Sequence, residues 1–180
     1  MDGIEPIRFL VILASTGCAT EADAPITLSQ LAPAYYLFKD FGAEVVLTTL
    51  AGEPPAFLDL KGKTSQDPAI HRFLQDRTAR DELADTLFFE QIAVEDFDAA
   101  FCIGISGRIW DASQAGPPTF IASFLQRGKP VVIIPGRALD LTPLGAGNGL
   151  LIIGDAGDTP LVAAHALLRI VGERHGDARF

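Results

Sequence analysis

The fold is decided by FLQRGKPVVII (Phe124–Ile134), a stretch in which a helical segment ends at a glycine and an aliphatic run follows. Glycine readily adopts the left-handed conformation that closes a helix, so Gly128 marks the helix end. The same order recurs in LFKDFGAEV (Leu37–Val45), where Gly42 takes that position. Both stretches predict a helix-to-strand junction, the repeating step of a βαβ unit.

Near-continuous aliphatic runs bounded by turn residues occur at residues 7–14, 43–49, 99–103, 131–134 and 150–153. Strands that are apolar on both faces are typical of a parallel sheet covered by helices. The alternation of these runs with helical segments predicts an α/β fold: a three-layer α/β/α sandwich with a flavodoxin-like, doubly wound, mostly parallel sheet. A chain of 180 residues is long enough for one core, and we expect a single domain over residues 1–180.

The composition limits the classes of partner. Lys and Arg number 14 against 23 Asp and Glu, a formal net charge of -9, and such a chain lacks the clustered cations that bind a phosphate backbone. Nucleic acid is therefore not an expected partner. The apolar runs are shorter than the roughly 20 residues of a membrane-spanning helix, so no membrane association is expected. The acidic start of the chain lacks a leader pattern and the cysteines number only 2, which predicts a cytoplasmic location.

Capping signals predict where the first and last helices begin. Thr27 and Gln30 have capping-box spacing, in which the glutamine side chain folds back onto the Thr27 backbone. Pro33 follows and predicts either a kink or a late start of this helix. A cap residue followed by Pro160 predicts the start of the last helix. Between residues 57 and 96 the sequence is charged and predicts a helical excursion that joins two strands.

Several segments share the pattern of one known family. AYYLFKDFGAEV (Ala34–Val45), GKPVV (Gly128–Val132) and NGLLI (Asn148–Ile152) follow one another along the chain. Together they resemble the first helix with the second strand, the elbow strand and the last strand of the DJ-1/PfpI superfamily. This is the class I glutamine-amidotransferase-like group, and the pattern is nearest to its bacterial Hsp31-like members. The resemblance implies a flavodoxin-like fold and a homodimer.

A further segment is similar to the family's oxyanion site. DFDAAF (Asp96–Phe101), followed by Gly104 and Gly107, resembles its strand and glycine loop. The segment between the elbow strand and the last strand is shortened here to about a dozen residues, 136–147. The similarity thus extends over most of the chain.

The resemblance fails at the residues that carry the family's chemistry. Pro135 stands where the nucleophilic cysteine belongs, and Gly136 replaces the histidine after it, in a tight turn expected to follow the strand. Gln30 occupies the place of a glutamate, and an amide can neither ionise nor take up a proton. Ile105 replaces the second glycine of the oxyanion loop and would crowd its amide donors. The resemblance therefore implies a vestigial site without catalysis.

Other residues near the ends of the predicted strands carry reactive or hydrogen-bonding groups. Cys18 follows the first strand, although no histidine lies near it in sequence to lower its pKa. Ser106 lies in the glycine loop, beside Gly104 and Ile105, and these three residues with Cys18 are the expected binding residues. Cys102 falls inside an aliphatic run and is expected in the core.

The histidines predict no metal site, because no pair of them has metal-ligand spacing. His165 shares a helical stripe with Leu161 and Leu168, which predicts packing at a helix interface. The loop at residues 15–20 is similar to the flavin-phosphate loop of flavodoxins, but the Thr27 cap places the helix start too late. No cofactor is expected.

Three functional hypotheses follow. The favoured one is a DJ-1/PfpI-like protein without its nucleophile, a non-catalytic binding or regulatory homo-oligomer with a second copy and a small-molecule ligand as partners. The second is a hydrolase or a glyoxalase III-like lyase rebuilt around Cys18 or Ser106. The third is a flavin carrier.

Overall fold

The computed structural model describes residues 5–14, 26–49, 52, 54–55, 57, 67–108, 117–140, 151–154 and 160–176, with the backbone alone at 105–108, 117–119 and 136–140. The strands in these ranges are β1 (Arg8–Leu13), β2 (Glu44–Thr49), β3 (Leu87–Phe88), β4 (Ala99–Arg108), β5 (Val131–Asp140) and β6 (Leu151–Ile153). The helices are α1 (Leu28–Asp40), α2 (Pro68–Gln75), α3 (Arg77–Ala84), α4 (Pro117–Gln126) and α5 (Pro160–Arg174).

The strands form one sheet in the order β3-β2-β1-β4-β5-β6, and every pair in it is parallel. The chain moves from β1 to one side of the sheet and then returns to add β4 on the other side, so the winding direction reverses between these two strands. This confirms the predicted doubly wound α/β fold. The two-residue β3 was not expected from the sequence.

The core has two halves, one on each face of the sheet. Phe9, Val11 and Leu13 of β1 point to the face covered by α1, α2, α3 and α5, whereas Leu10 and Ile12 point to the face covered by α4. All five side chains are at most 1% exposed. A strand buried on both faces has no polar side, which is why its sequence reads as an unbroken aliphatic run.

The predicted helix-to-strand junctions are confirmed. Gly42 has φ 85° and Gly128 has φ 68°, both in the left-handed region. Gly42 N donates to the Lys39 carbonyl at 2.9 Å, and Gly128 N donates to the Leu125 carbonyl at 3.0 Å. Each glycine thus satisfies a terminal helix carbonyl and turns the chain into the next strand.

Helix α1 begins at Leu28, directly after the Thr27 cap, so the late start that Pro33 suggested is wrong. Gln30 Oε1 accepts a hydrogen bond from Thr27 N at 3.0 Å, as the capping box predicts. Burial of one apolar face holds the helix in place despite the proline: Phe38 is 0% exposed and stacks on Phe9 with ring centres 4.3 Å apart. Helix α5 begins at Pro160, as predicted; its cap residues lie outside the described ranges.

The excursion between β2 and β4 is helical over residues 68–84, as expected. Asp67 caps α2 by accepting from Ala69 N at 2.9 Å, and Asp76 caps α3 by accepting from Thr78 N at 3.0 Å. Two short 3-10 turns, Phe89–Gln91 and Val94–Asp96, then lead into β4. These turns and β3 are the parts of the excursion that the sequence did not predict.

Candidate functional site

The predicted site lies at the carboxyl edge of the sheet, where β4 has a bulge. Strands β4 and β5 stay in register up to Ile103, but the next pair joins Ile105 to Pro135, so Gly104 is the extra residue. Its φ of 83° lies in the left-handed region. A Cβ at this position would approach Ile26 Cγ1 to 2.9 Å. Gly104 is therefore required both by its backbone conformation and by the packing just before α1.

Strand β5 does not turn after Ile134, and the expected tight turn at Pro135 is wrong. The strand runs through Pro135 and Gly136 to Asp140, but its pairing with β4 is irregular. Ile105 pairs with Pro135 and Gly107 pairs with Leu139, so residues 136–138 of β5 lie opposite Ser106 alone. On its other side, pairing with β6 ends at Ile153. Proline has no N–H to donate, and it is tolerated where a strand is paired on one side only. Pro135 is thus a paired residue within the strand, and the register irregularity begins directly after it.

The expected glycine loop is also part of a strand, because β4 extends to Arg108 instead of ending at Ile103. Gly104, Ile105 and Ser106 all lie in this extension. The side chains of Ile105 and Ser106, and the whole of Cys18, fall outside the described part of the structure. Their predicted roles in binding therefore stay predictions.

Gln30 lies on the outer side of α1, with its side chain partly exposed. Its Oε1 atom is held by Thr27 N in the helix cap. Gln30 lines a groove on the helix surface, and neither Gly104 nor Pro135 lines that groove. The described residues thus place Gln30 in a structural cap and in the lining of this groove.

Cys102 lies in the middle of β4 and is 0% exposed. Burial in apolar surroundings raises the pKa of its thiol far above the ordinary value, because the thiolate would lose its solvation. A thiol is reactive as the thiolate, so Cys102 is a core residue, as the sequence predicted.

The groove beside Gln30 has a volume of about 740 Å³ and follows the outer face of α1, bordered by the first turns of α2 and α5. Its lining includes an apolar set, Pro33, Tyr36, Leu37, Pro68, Ala69, Pro160 and Leu161, and a polar set, Thr27, Ser29, Gln30, Asp40, Asp67 and Arg72. This combination of an apolar lining with a few polar groups is typical of a small-molecule site.

One wall of the groove is fixed by contacts between α1 and α2. The Arg72 guanidinium donates two hydrogen bonds to the Asp40 carboxylate, each 2.7 Å long, and its central carbon lies 3.8 Å from the centre of the Tyr36 ring. Tyr36 OH in turn donates to Asp76 Oδ2 at 2.9 Å. The planar guanidinium therefore stacks on an aromatic face while it pairs with the carboxylate.

These contacts change the acidity of the groups involved. The hydrogen bonds from Arg72 lower the pKa of Asp40, and the hydrogen bond from Tyr36 lowers the pKa of Asp76. Burial and the hydrogen bond to the Asp76 carboxylate raise the pKa of Tyr36. At neutral pH the wall thus holds two carboxylates, one guanidinium and a neutral phenol.

A second set of contacts joins α1 to α3. Tyr35 OH donates to Glu82 Oε2 at 2.6 Å, and Lys39 Nζ lies 2.7 Å from Glu82 Oε1. Burial, followed by the bond to Glu82, raises the pKa of Tyr35. Neither tyrosine is therefore ionised near neutral pH, and neither can act there as a phenolate base.

The sequence reasoning did not identify this groove. Its elements were visible separately, because Pro33 and Leu37 stand four residues apart on one face of a predicted helix, and an aspartate followed by Pro68 is a helix-start signal. What the sequence does not contain is the docking of α2 and α5 against that face. Arg72 and Asp40 are 32 residues apart, and only the folded chain brings them together.

The histidine positions require one correction. His165 is exposed and does not pack at a helix interface, because the buried face of α5 is centred on Ala164, Leu167 and Val171. His175 Nε2 lies 2.9 Å from Asp98 Oδ1 at the end of α5.

Among the described residues, no three His, Cys, Asp or Glu side chains are grouped as a metal site. No helix in the same ranges is both long and apolar enough to cross a bilayer.

The architecture also occurs in solved proteins. The ThiJ/PfpI domain protein from Brachyspira murdochii superposes with a TM-score of 0.54 at 14% identity, over 92% of this chain and 96% of its own. Rapid Encystment Protein 24 kDa from Francisella tularensis superposes with a TM-score of 0.63 at 9% identity, over 92% of this chain and 99% of its own. A third solved structure superposes with a TM-score of 0.60 at 13% identity, over 94% of this chain and 99% of its own. This chain has their fold.

The sequence matches no family model and no curated protein. At 9 to 14% identity, these proteins share a backbone fold with this chain, and most of their side chains differ. The likeness does extend over nearly the whole of each neighbour. The shared fold therefore covers 92 to 94% of this chain, whereas a role for any residue has to be argued from this chain alone.

Proposed function

We propose that this chain is a DJ-1/PfpI-like protein without the nucleophilic cysteine, nearest in pattern to Hsp31-like members, that acts as a non-catalytic binding or regulatory homo-oligomer in the cytoplasm. Its fold is shared with a ThiJ/PfpI domain protein. The similarity of residues 34–45 and 128–132 to the family pattern supports the same assignment.

The observation that carries the proposal is the path of β5 through Pro135. In the family this position needs a thiol on a strained turn, where backbone amides stabilise the thiolate. Here Pro135 supplies no nucleophile and pairs with Ile105 within β5, which runs on to Asp140 with a register shift after Pro135. Pro135 lacks the reacting atom, and its place within a paired strand supports the absence of an activating turn at this residue.

The neighbouring groups agree with a loss of chemistry. Gln30 Oε1 accepts a hydrogen bond from the Thr27 amide, and the Gln30 side chain has no acidic proton to exchange. Cys102 is fully buried with a raised pKa. Within the described ranges, these groups leave no activated thiol at this edge of the sheet. A rebuilt site would have to use Cys18 or Ser106.

The test is an assay of the purified protein against 2-oxoaldehydes and amides, together with labelling by a thiol-reactive probe near neutral pH. We expect no turnover, and a Cys18 thiol that titrates like a free cysteine. Cys18→Ser and Ser106→Ala serve as the matched variants. Turnover that disappears in either variant would establish the rebuilt enzyme and remove the proposal.

The homo-oligomer is tested separately by light scattering over a range of protein concentrations. We expect a dimer mass, twice the 19.2 kDa of the chain. A monomer at every concentration would contradict this part of the proposal and leave the non-catalytic part standing.

A further inference from the structure

The size of the groove along α1 fits one small molecule. Its volume of about 740 Å³ lies within the roughly 300–1,000 Å³ of typical ligand pockets. Along α1 it extends from Gln30 to Asp40, about 15 Å at the rise of an α-helix. A stable protein partner would need a contact of about 800 Å² on each side, which is broader than a groove of this size.

The lining of the groove is apolar and largely preformed. Pro33, Pro68 and Pro160 contribute rigid rings without backbone donors, one from each of the three helices. Leu161 also lines the groove and is 41% exposed, whereas Leu168 on the same helix is 3% exposed. Apolar surface that remains in contact with water at a concave site gains free energy when a ligand covers it.

The charges of the lining select against anions. Two of its described residues, Asp40 and Asp67, carry carboxylates, and Arg72 is the one cation among them. Arg72 is engaged by both oxygens of Asp40, and the chain as a whole carries -9. An anionic ligand would therefore find no unengaged cation in the described lining, whose formal charges sum to -1.

From size, lining and charge together, we infer that this groove is the ligand site of the protein, and that it takes one mainly apolar molecule that is uncharged or cationic. This inference rests on the proposed function, because it names the site of the binding role. The described lining of this site includes neither Gly104 nor Pro135.

The inference is tested with two fluorescent probes that share one scaffold, neutral N-phenylnaphthylamine and its anionic relative anilinonaphthalenesulfonate. Both are titrated into the wild-type protein, into Leu161→Gln and into Leu74→Gln. Leu74 is the matched control, because it is also a helical leucine, is 44% exposed and does not line the groove. Thermal melts establish that both variants fold.

We expect saturable binding of one neutral probe per chain. Leu161→Gln should weaken it at least about fivefold while Leu74→Gln changes it less than about twofold, and the sulfonate should bind at least about fivefold more weakly than the neutral probe. Absence of saturable binding, equal losses in the two variants, or equal affinity for the sulfonate would each overturn the inference.

Light scattering on the same variants tests whether a second copy of the chain, instead of a small molecule, occupies the groove. If Leu161→Gln dissociates an oligomer that Leu74→Gln leaves intact, the groove is a subunit contact and the inference is wrong, although the proposed homo-oligomer stands. Failure of the non-catalytic role would instead appear as turnover in the enzyme assay, which does not depend on either probe.

Discussion

Ile26 packs directly against Gly104, so closely that a Cβ on residue 104 would lie 2.9 Å from Ile26 Cγ1 and 3.1 Å from Ile26 Cδ1. Ile26 is 0% exposed and precedes the Thr27 cap of α1. The contact joins the start of the first helix to the bulge of β4. It therefore fixes the position of α1, and with it the groove, relative to the sheet.

Gly104→Ala is expected to destabilise the fold by about 3 kcal/mol, because it adds a left-handed backbone penalty of about 1–2 kcal/mol to an overpacking cost of similar size. Chemical denaturation measures the change. Gly128→Ala is the control, since Gly128 has φ 68° but open space around the added methyl group; it should cost only about 1 kcal/mol. Equal losses in the two variants would show that the Ile26 contact contributes nothing.

Lys129→Met is expected to cost about 2 kcal/mol, because it leaves carbonyl groups without a charged donor. Lys129 Nζ donates to the carbonyls of Val94, at 2.9 Å, and Glu95, at 3.1 Å, and also to the carbonyl of Phe97. It thus holds the 3-10 turn that leads into β4.

The matched control for Lys129 is Arg77→Met, because the Arg77 side chain is 88% exposed and its ion pair with Asp81 is a solvent-exposed i,i+4 contact. Arg77→Met should lower the free energy of unfolding by less than about 0.5 kcal/mol. Similar unfolding midpoints for the two variants in denaturant would contradict the role given to Lys129.

Some of the fold could be predicted because its signals are local. Gly42 and Gly128 close helices through their own backbone conformation, and the capping box at Thr27 operates within four residues. The aliphatic runs predicted a buried parallel sheet for a similar reason, since burial on both faces removes polar residues from a strand.

The ends of β4 and β5 could not be predicted, because each strand is extended by pairing with the other beyond Ile103 and Ile134. A proline normally argues against a central strand, but Pro135 sits where the neighbour on one side has stopped pairing. Neither the mutual extension of β4 and β5 nor the end of pairing beside Pro135 can be predicted from the neighbouring residues in sequence. The groove was missed for the same physical reason, since it exists only after α2 and α5 dock on α1.

The contact between Tyr36 and Asp76 predicts a loss of stability in acid. The pKa of Asp76 is lowered from its ordinary value of 3.8, chiefly by the Tyr36 hydroxyl. A lowered folded-state pKa stabilises the protein above pH 3.8, and this contribution is lost as the pH falls below that value. Tyr36→Phe should therefore differ from wild type at pH 7 and approach it as the pH falls below 3.8 and through the lowered folded-state pKa of Asp76.

Because Asp76 is largely solvated, the difference at pH 7 should stay near or below about 1 kcal/mol. Urea unfolding at several pH values measures it. Tyr35→Phe is not a suitable control, because Tyr35 is bonded to a different carboxylate, Glu82. Asp76→Asn is the better comparison, and it should remove the same pH dependence. A Tyr36→Phe difference that persists unchanged into acid would show that the hydrogen bond does not act through the charge of Asp76.

Cys102 should be inert to thiol reagents in the folded protein. In Cys18→Ser, the remaining thiol is 0% exposed and its pKa is raised by burial, so an aromatic disulfide reagent reaches it only when β4 opens. We expect labelling on the order of a thousandfold slower than for a free thiol, and full labelling in denaturant. The complementary variant Cys102→Ala reports Cys18 alone. Rapid native labelling of Cys102 would mean that the centre of the sheet opens readily, and the buried strand pair on which the Pro135 argument depends would then need revision.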